Sequence, residues 1–173
     1  MADEAQELRE QAEKAREDSS LAAVSLTMAV LAVLVAVVSL LGHRAHTEEV
    51  VLQAKSSDQW AYYQAKNIRQ HEDELFVAGN NTGTAADREK YGQEAERYKK
   101  EKDEIQNEAQ KLEREVAMER GRADRYDLAE VFLEIGLVIT SITLLSGRRI
   151  FWHLGIVLSV VGVVVAVMGA MVH

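Results

Sequence analysis

LAAVSLTMAVLAVLVAVVSLL, residues 21–41, carries no charge and no proline across 21 positions. A helix rises about 1.5 Å per residue, so this run is long enough to cross the ~30 Å hydrocarbon core of a bilayer. Two later runs, Leu128–Ser146 and Ile150–Val172, read the same way. Between the first and second lie residues 42–127, which are strongly charged and almost free of aliphatic runs. That split argues against a compact soluble core and predicts a membrane protein with one large extramembrane excursion.

The chain of 173 residues has neither cysteine nor proline. The first absence removes disulfides, thiol chemistry and thiolate metal sites. The second means that only glycine and local polarity stop a helix. The net charge of −8 is acidic, which argues against nucleic acid as a partner. The tail 1–19 is itself acidic and lacks the basic start of a secretory signal, so the first span reads as an uncleaved anchor.

The excursion breaks once, at AGNNTGTA, residues 78–85, a Gly/Asn cluster suited to a tight connection. Asn80-Asn81-Thr82 also fits a glycosylation sequon, and Thr84 with Asp87 fits a helix N-cap pair. Beyond the break Tyr91, Ala95, Tyr98, Ile105, Ala109, Leu112, Val116, Ala123 and Tyr126 recur at heptad intervals, with Lys102 and Glu119 in the skipped places. Before it a thinner seam runs through Val51, Ala54, Asp58, Ala61, Ala65, Ile68, Glu72 and Leu75. The expected fold is all-α: three transmembrane helices, with a long antiparallel helical-hairpin (coiled-coil) stalk between the first two. The expected boundaries are an acidic helical tail at 1–19, spans at 20–42, 128–146 and 150–173, a stalk at 43–127 with its tip at 79–84, and a tight basic loop at 147–149.

Folding the arms about Asn81 pairs Ala65 with Tyr98, Ala61 with Lys102, Asp58 with Ile105 and Val51 with Leu112. Asp58 and Lys102 are then close enough to form an ion pair. Trp60, Tyr62 and Tyr63 stand about 27 Å beyond the first span, too far for an interfacial belt. Three readings compete for them: edges closing a thin two-helix seam, a contact with a neighbouring subunit, or an aromatic cage for a small molecule. The thin seam buries little apolar area, and Trp and Tyr are enriched at interface hot spots, so more than one copy is expected.

Each span carries small residues at heptad spacing: Ala22, Ser25, Ala29, Ala32, Ala36 and Ser39; Gly136, Thr140, Thr143 and Gly147; and Gly155, Ser159, Gly162, Ala166 and Gly169. In lipid, helices associate through close packing that small residues permit, so the stripes predict three close-packed helices. The glycine line of the third is also open to subunit contacts.

Asp127, Glu130 and Glu134 share a face as the chain enters the second span, and His43, Arg44 and His46 leave the first span at the same membrane face. An Arg44–Glu130 ion pair, a cation or proton site on Glu130 and Glu134, and a loose His43/His46 metal site are the alternatives. His153 lies at the opposite face. No catalytic triad order, phosphate loop or metalloprotease helix is present, so no enzyme, cofactor or metal is assigned. The short Gly147-Arg148-Arg149 loop places the N-terminus inside and the excursion and C-terminus outside, against the contrary signal of Arg120, Arg122 and Arg125.

The box Ser57-Asp58-Gln59-Trp60-Ala61-Tyr62-Tyr63-Gln64-Ala65-Lys66, after one span and before two others, resembles a family of uncharacterised bacterial membrane proteins, catalogued as a domain of unknown function. The likeness covers roughly residues 20–172. It implies a bacterial inner-membrane location and no activity. The resulting expectation is an oligomeric scaffold, or an accessory subunit of a larger membrane complex, whose partners are the lipid bilayer and further copies of itself. The alternative is an ion-conducting or ion-sensing homo-oligomer.

Overall fold

The computed structural model describes residues 2–79 and 83–171, with side chains described from Leu21 onward. Among these residues there are three helices and no strand: α1 (Ala2–Ala78), α2 (Ala85–Ser146) and α3 (Arg149–Ala170). α1 runs for 77 residues. Its length follows from the missing proline and from a single internal glycine, Gly42, which is buried in the helix rather than ending it. Each helix is long and apolar enough to cross a membrane.

α2 opens on a reciprocal cap. The Thr84 N–H donates to Asp87 Oδ2 at 2.9 Å, and the Asp87 N–H donates to Thr84 Oγ1 at 3.2 Å. This is the capping-box geometry with Asp in place of Glu. Backbone and side-chain bonds from Thr84 hold the Asp87 carboxyl below its ordinary range. α2 ends at Gly147, whose φ of 67° is the left-handed region that glycine enters without strain. The expected tip residues Asn80, Asn81 and Thr82 lie outside the described residues.

The chain divides into two units, the residues up to Ala45 with those from Gly121 onward, and residues 46–120. In the first unit α1 buries a single line of its apolar residues. Val24, Leu31, Val38 and Ala45 are buried at seven-residue spacing, and Leu31, Val38 and Ala45 join Ala123, Tyr126, Ala129 and Leu133 of α2 in one core. The expected small-residue line of α1 does not face this core. Ala22, Ser25, Ala29, Ala32 and Ala36 are exposed, with Ser39 half-buried.

α2 and α3 approach closely along their small residues. Gly136, Thr140 and Thr143 of α2 are buried, as are Gly155, Ser159, Gly162 and Gly169 of α3, with Ala166 half-buried. A Cβ on Gly155 would fall 2.7 Å from the Gly136 carbonyl oxygen, and one on Gly162 would fall 2.9 Å from that of Ala129. Thr140 and Ser159 direct their hydroxyls to their own helix, at Gly136 O and Gly155 O, both 2.8 Å. The glycine line of α3 is therefore spent on α2 of the same chain, which corrects the idea that it is open to subunit contacts.

In the second unit the two helical segments run antiparallel. Phe76 meets Tyr91 with ring centroids 4.4 Å apart, Trp60 Nε1 donates to Glu113 Oε1 at 2.8 Å, and Arg120 Nε donates to Glu49 Oε1 at 2.7 Å. From α2 the buried line is Ala95, Tyr98, Ile105, Ala109 and Val116, with Tyr91, Lys102, Leu112 and Glu119 half-buried along it. From α1 it is Leu52, Ser56 and Gln70, continued by the half-buried Gln59, Tyr63, Lys66, Asn67, Asp73 and Phe76. The expected seam on α1 is therefore corrected by rotation. All eight of its positions, Val51, Ala54, Asp58, Ala61, Ala65, Ile68, Glu72 and Leu75, are exposed.

Candidate interaction surfaces

The aromatic box divides between the two sides of α1. Trp60 and Tyr63 form an edge-to-face pair, with centroids 5.5 Å apart and an interplanar angle of 80°, a favoured aromatic geometry. The Trp60 indole N–H is occupied by Glu113. Tyr62 lies on the outer side and remains 49% exposed.

Lys66, the last residue of the box, is the centre of the polar seam. Its ammonium pairs with Glu101 and lies 4.9 Å from the Tyr98 ring centroid and 5.3 Å from that of Tyr62. The Glu101 hydrogen bond raises the Lys66 pKa above its ordinary value, and the same bond lowers that of Glu101. Arg97 stacks on Tyr98 at 5.0 Å, so two cations flank one buried ring. Lys102 donates to Asn67 Oδ1 at 3.0 Å and lies 5.8 Å from the Tyr63 ring. The expected Asp58–Lys102 pair does not form, because the register is shifted and Asp58 is on the exposed side of α1. Complementary charges at Lys66/Glu101 and Glu49/Arg120 could have revealed this register, but the apolar pattern outweighed them.

His43, Arg44 and His46 lie on α1, and Asp127, Glu130 and Glu134 lie on α2. The His43 ring is 2.9 Å from Ser39 O on its own helix, and His46 Nδ1 is 3.6 Å from Glu49 Oε2. Asp127 and Glu134 are exposed and Glu130 is half-buried. Among the described residues no ion pair joins Arg44 to Glu130, and no group of three or more His, Asp or Glu could hold a metal ion. His153 instead stacks on Trp152, with centroids 5.2 Å apart, while the Trp152 indole donates to Thr27 Oγ1 of α1 at 3.2 Å. Beside that bond an open apolar groove of about 370 Å³ runs between α1 and α3, lined by Leu31, Leu34, Ile156, Val160, Val163 and Val164 among others.

The family described as domain of unknown function DUF4337 matches residues 20–172. The chain belongs to this family. No curated protein and no solved structure matches it. The matched region of this DUF4337 chain takes in all three apolar runs and the whole 46–120 unit, and leaves out the acidic tail.

Proposed function

We propose that this DUF4337 chain is a non-catalytic, oligomeric scaffold or accessory subunit of a membrane complex. In this reading the three apolar helices span the bacterial inner membrane, with the N-terminus cytoplasmic and residues 43–127 forming a helical-hairpin stalk on the outer side. One observation carries it: the small-residue line at Ser25, Ala29, Ala32 and Ala36 is exposed on α1, while the small residues of α2 and α3 are consumed against each other. Close packing through small residues is how helices associate in lipid, and among the described residues this line is exposed rather than packed on another helix. Lipid chains or a second copy would cover the groove beside it.

The test is the mass of the assembly in lipid nanodiscs. The native chain is expected to form a defined oligomer, and Ala32→Leu is expected to reduce it. A monomer in both lipid and mild detergent would refute the reading.

The second reading, an ion path, draws on Glu134. It is exposed on α2 between Val131, Ile135 and Val138, three apolar residues that are themselves exposed. A carboxylate there is expensive unless it meets water or a partner. Ion flux unchanged by Glu134→Gln would remove it.

A further inference from the structure

α1 carries two heptad lines through residues 51–75, and only one of them is covered. The covered line is mostly polar, with Ser56, Gln59, Lys66, Asn67, Gln70 and Asp73 facing α2. The open line is the more apolar one: Val51, Ile68 and Leu75 are 41%, 58% and 73% exposed, and Ala61 and Ala65 at its centre leave room for close backbone approach. α2 offers nothing similar, since its outer face over 99–114 is almost wholly charged or amide. A helix that hides polar residues and shows aliphatic ones at coiled-coil spacing has a second helical partner to meet.

We propose that the open line is the contact with a second copy of the chain, laid antiparallel so that α1 meets α1. The charges on the line choose both the partner and the direction. Asp58 and Glu72 are the two ionised residues in an otherwise apolar or small seam, and Lys55 and Arg69 lie on its rim. None of the four has an ion-pair partner among the described residues. A parallel pair in register sets Asp58 against the partner's Asp58 and Glu72 against the partner's Glu72, which repel. An antiparallel pair about a two-fold axis at Tyr63 stacks Val51 on the partner's Leu75 and Ala61 on the partner's Ala65. It sets Asp58 beside the partner's Arg69, and Glu72 beside the partner's Lys55. The two-fold repeats each pair, so all four charges of both copies are satisfied on one rim. Moving the register by a heptad either way breaks these pairs and leaves end layers unmatched. The exposed Tyr62 then stands beside the partner's Tyr62 next to the axis, giving the outer aromatic of the box a role.

This inference rests on the reading that the chain works in several copies. The test uses the absence of native cysteine. Full-length Val51→Cys and Leu75→Cys chains are reconstituted in phospholipid vesicles, separately and together, and oxidised with copper phenanthroline. The antiparallel contact predicts a disulfide-linked dimer only when both variants are present, because identical positions then lie about 36 Å apart. Adding Asp58→Arg is expected to reduce the linked product at least tenfold, and Arg69→Asp in the same chain to restore it.

Linking after co-reconstitution alone puts the partner in the same bilayer, and linking between separately loaded vesicles puts it in an apposed one; both support the contact. Self-linking of either variant alone would overturn the proposal in favour of a parallel pair. No linking from an assembly that is oligomeric by nanodisc mass would overturn the contact and leave the oligomer reading intact. A monomer by mass that also gives no linked product, within or between vesicles, would sink both.

Discussion

Gly155 and Gly92 are both helical glycines, and they respond to an added methyl group in opposite ways. At Gly155 the methyl would strike Thr140 Oγ1 and lie 2.7 Å from a backbone oxygen, whereas at Gly92 it would meet nothing within 4 Å. Gly155→Ala is therefore expected to destabilise the solubilised protein by about 1–3 kcal/mol, the range for overpacking. Gly92→Ala should stabilise it by about 0.5–1 kcal/mol through helix propensity. Paired unfolding curves would check both signs. Asp73 makes a third residue-level prediction. Partial burial, then Glu94 and Glu72, push its carboxyl above the ordinary value of 3.8, and its Oδ2 has no hydrogen-bond partner among the described residues. The native state thus binds this proton more readily than the unfolded chain, and the group opposes folding at neutral pH. Asp73→Asn is expected to raise the melting temperature at pH 7. The gain should shrink as pH falls through the window between the raised native value and 3.8. A gain independent of pH would mean that the charge is not the cause.

At the scale of elements, α2 was legible and the inward face of α1 was not, for one physical reason. Periodicity reveals which residues share a face, and composition suggests that an apolar face is covered. On α2 the two agree, because Ala95, Tyr98, Ile105, Ala109 and Val116 are both the apolar line and the buried one. On α1 they disagree twice. In 46–78 the polar line is inside, held by pairs such as Lys66–Glu101, and in 21–45 the line of Val24, Leu31, Val38 and Ala45 is inside while the small-residue line from Ala22 to Ala36 faces out. A rule that sends apolar or small residues toward the same chain fails where polar pairs such as Lys66–Glu101 and Lys102–Asn67 fix the inward face instead. Local signals were more dependable: the Thr84/Asp87 pair names the first turn of α2 because its bonds span only three residues. Thr84→Ala should weaken that turn by about 1 kcal/mol. The expected signature is faster amide exchange at Asp87, whose N–H loses its acceptor, with little change at the Tyr98 level of the helix. Unaltered exchange at Asp87 would show that another group caps the turn.

At the scale of the molecule, α1 carries two outward lines in two different units, alanines in 25–36 and the charged apolar seam in 51–75. Neither is a large surface. A small-residue stripe gives modest packing energy in lipid, and a seam with two acids among its eight positions is weak by the standards of a coiled coil. An antiparallel pair about Tyr63 sets the two copies' 25–36 segments at opposite ends of the pair, so the two lines engage different neighbouring copies and each extends an assembly that the other begins. This linkage has a measurable consequence. Ala32→Leu and Asp58→Arg should each reduce the oligomer in nanodiscs only in part, and the double variant should be monomeric at the same concentration. The restoring change Arg69→Asp should return the double variant to the behaviour of Ala32→Leu, because it repairs one line and leaves the other damaged. If Ala32→Leu alone abolishes the oligomer while Asp58→Arg has no effect, the intramembrane line suffices and the seam meets something other than this chain. If the reverse holds, the spans are passive anchors and the assembly is made outside the bilayer.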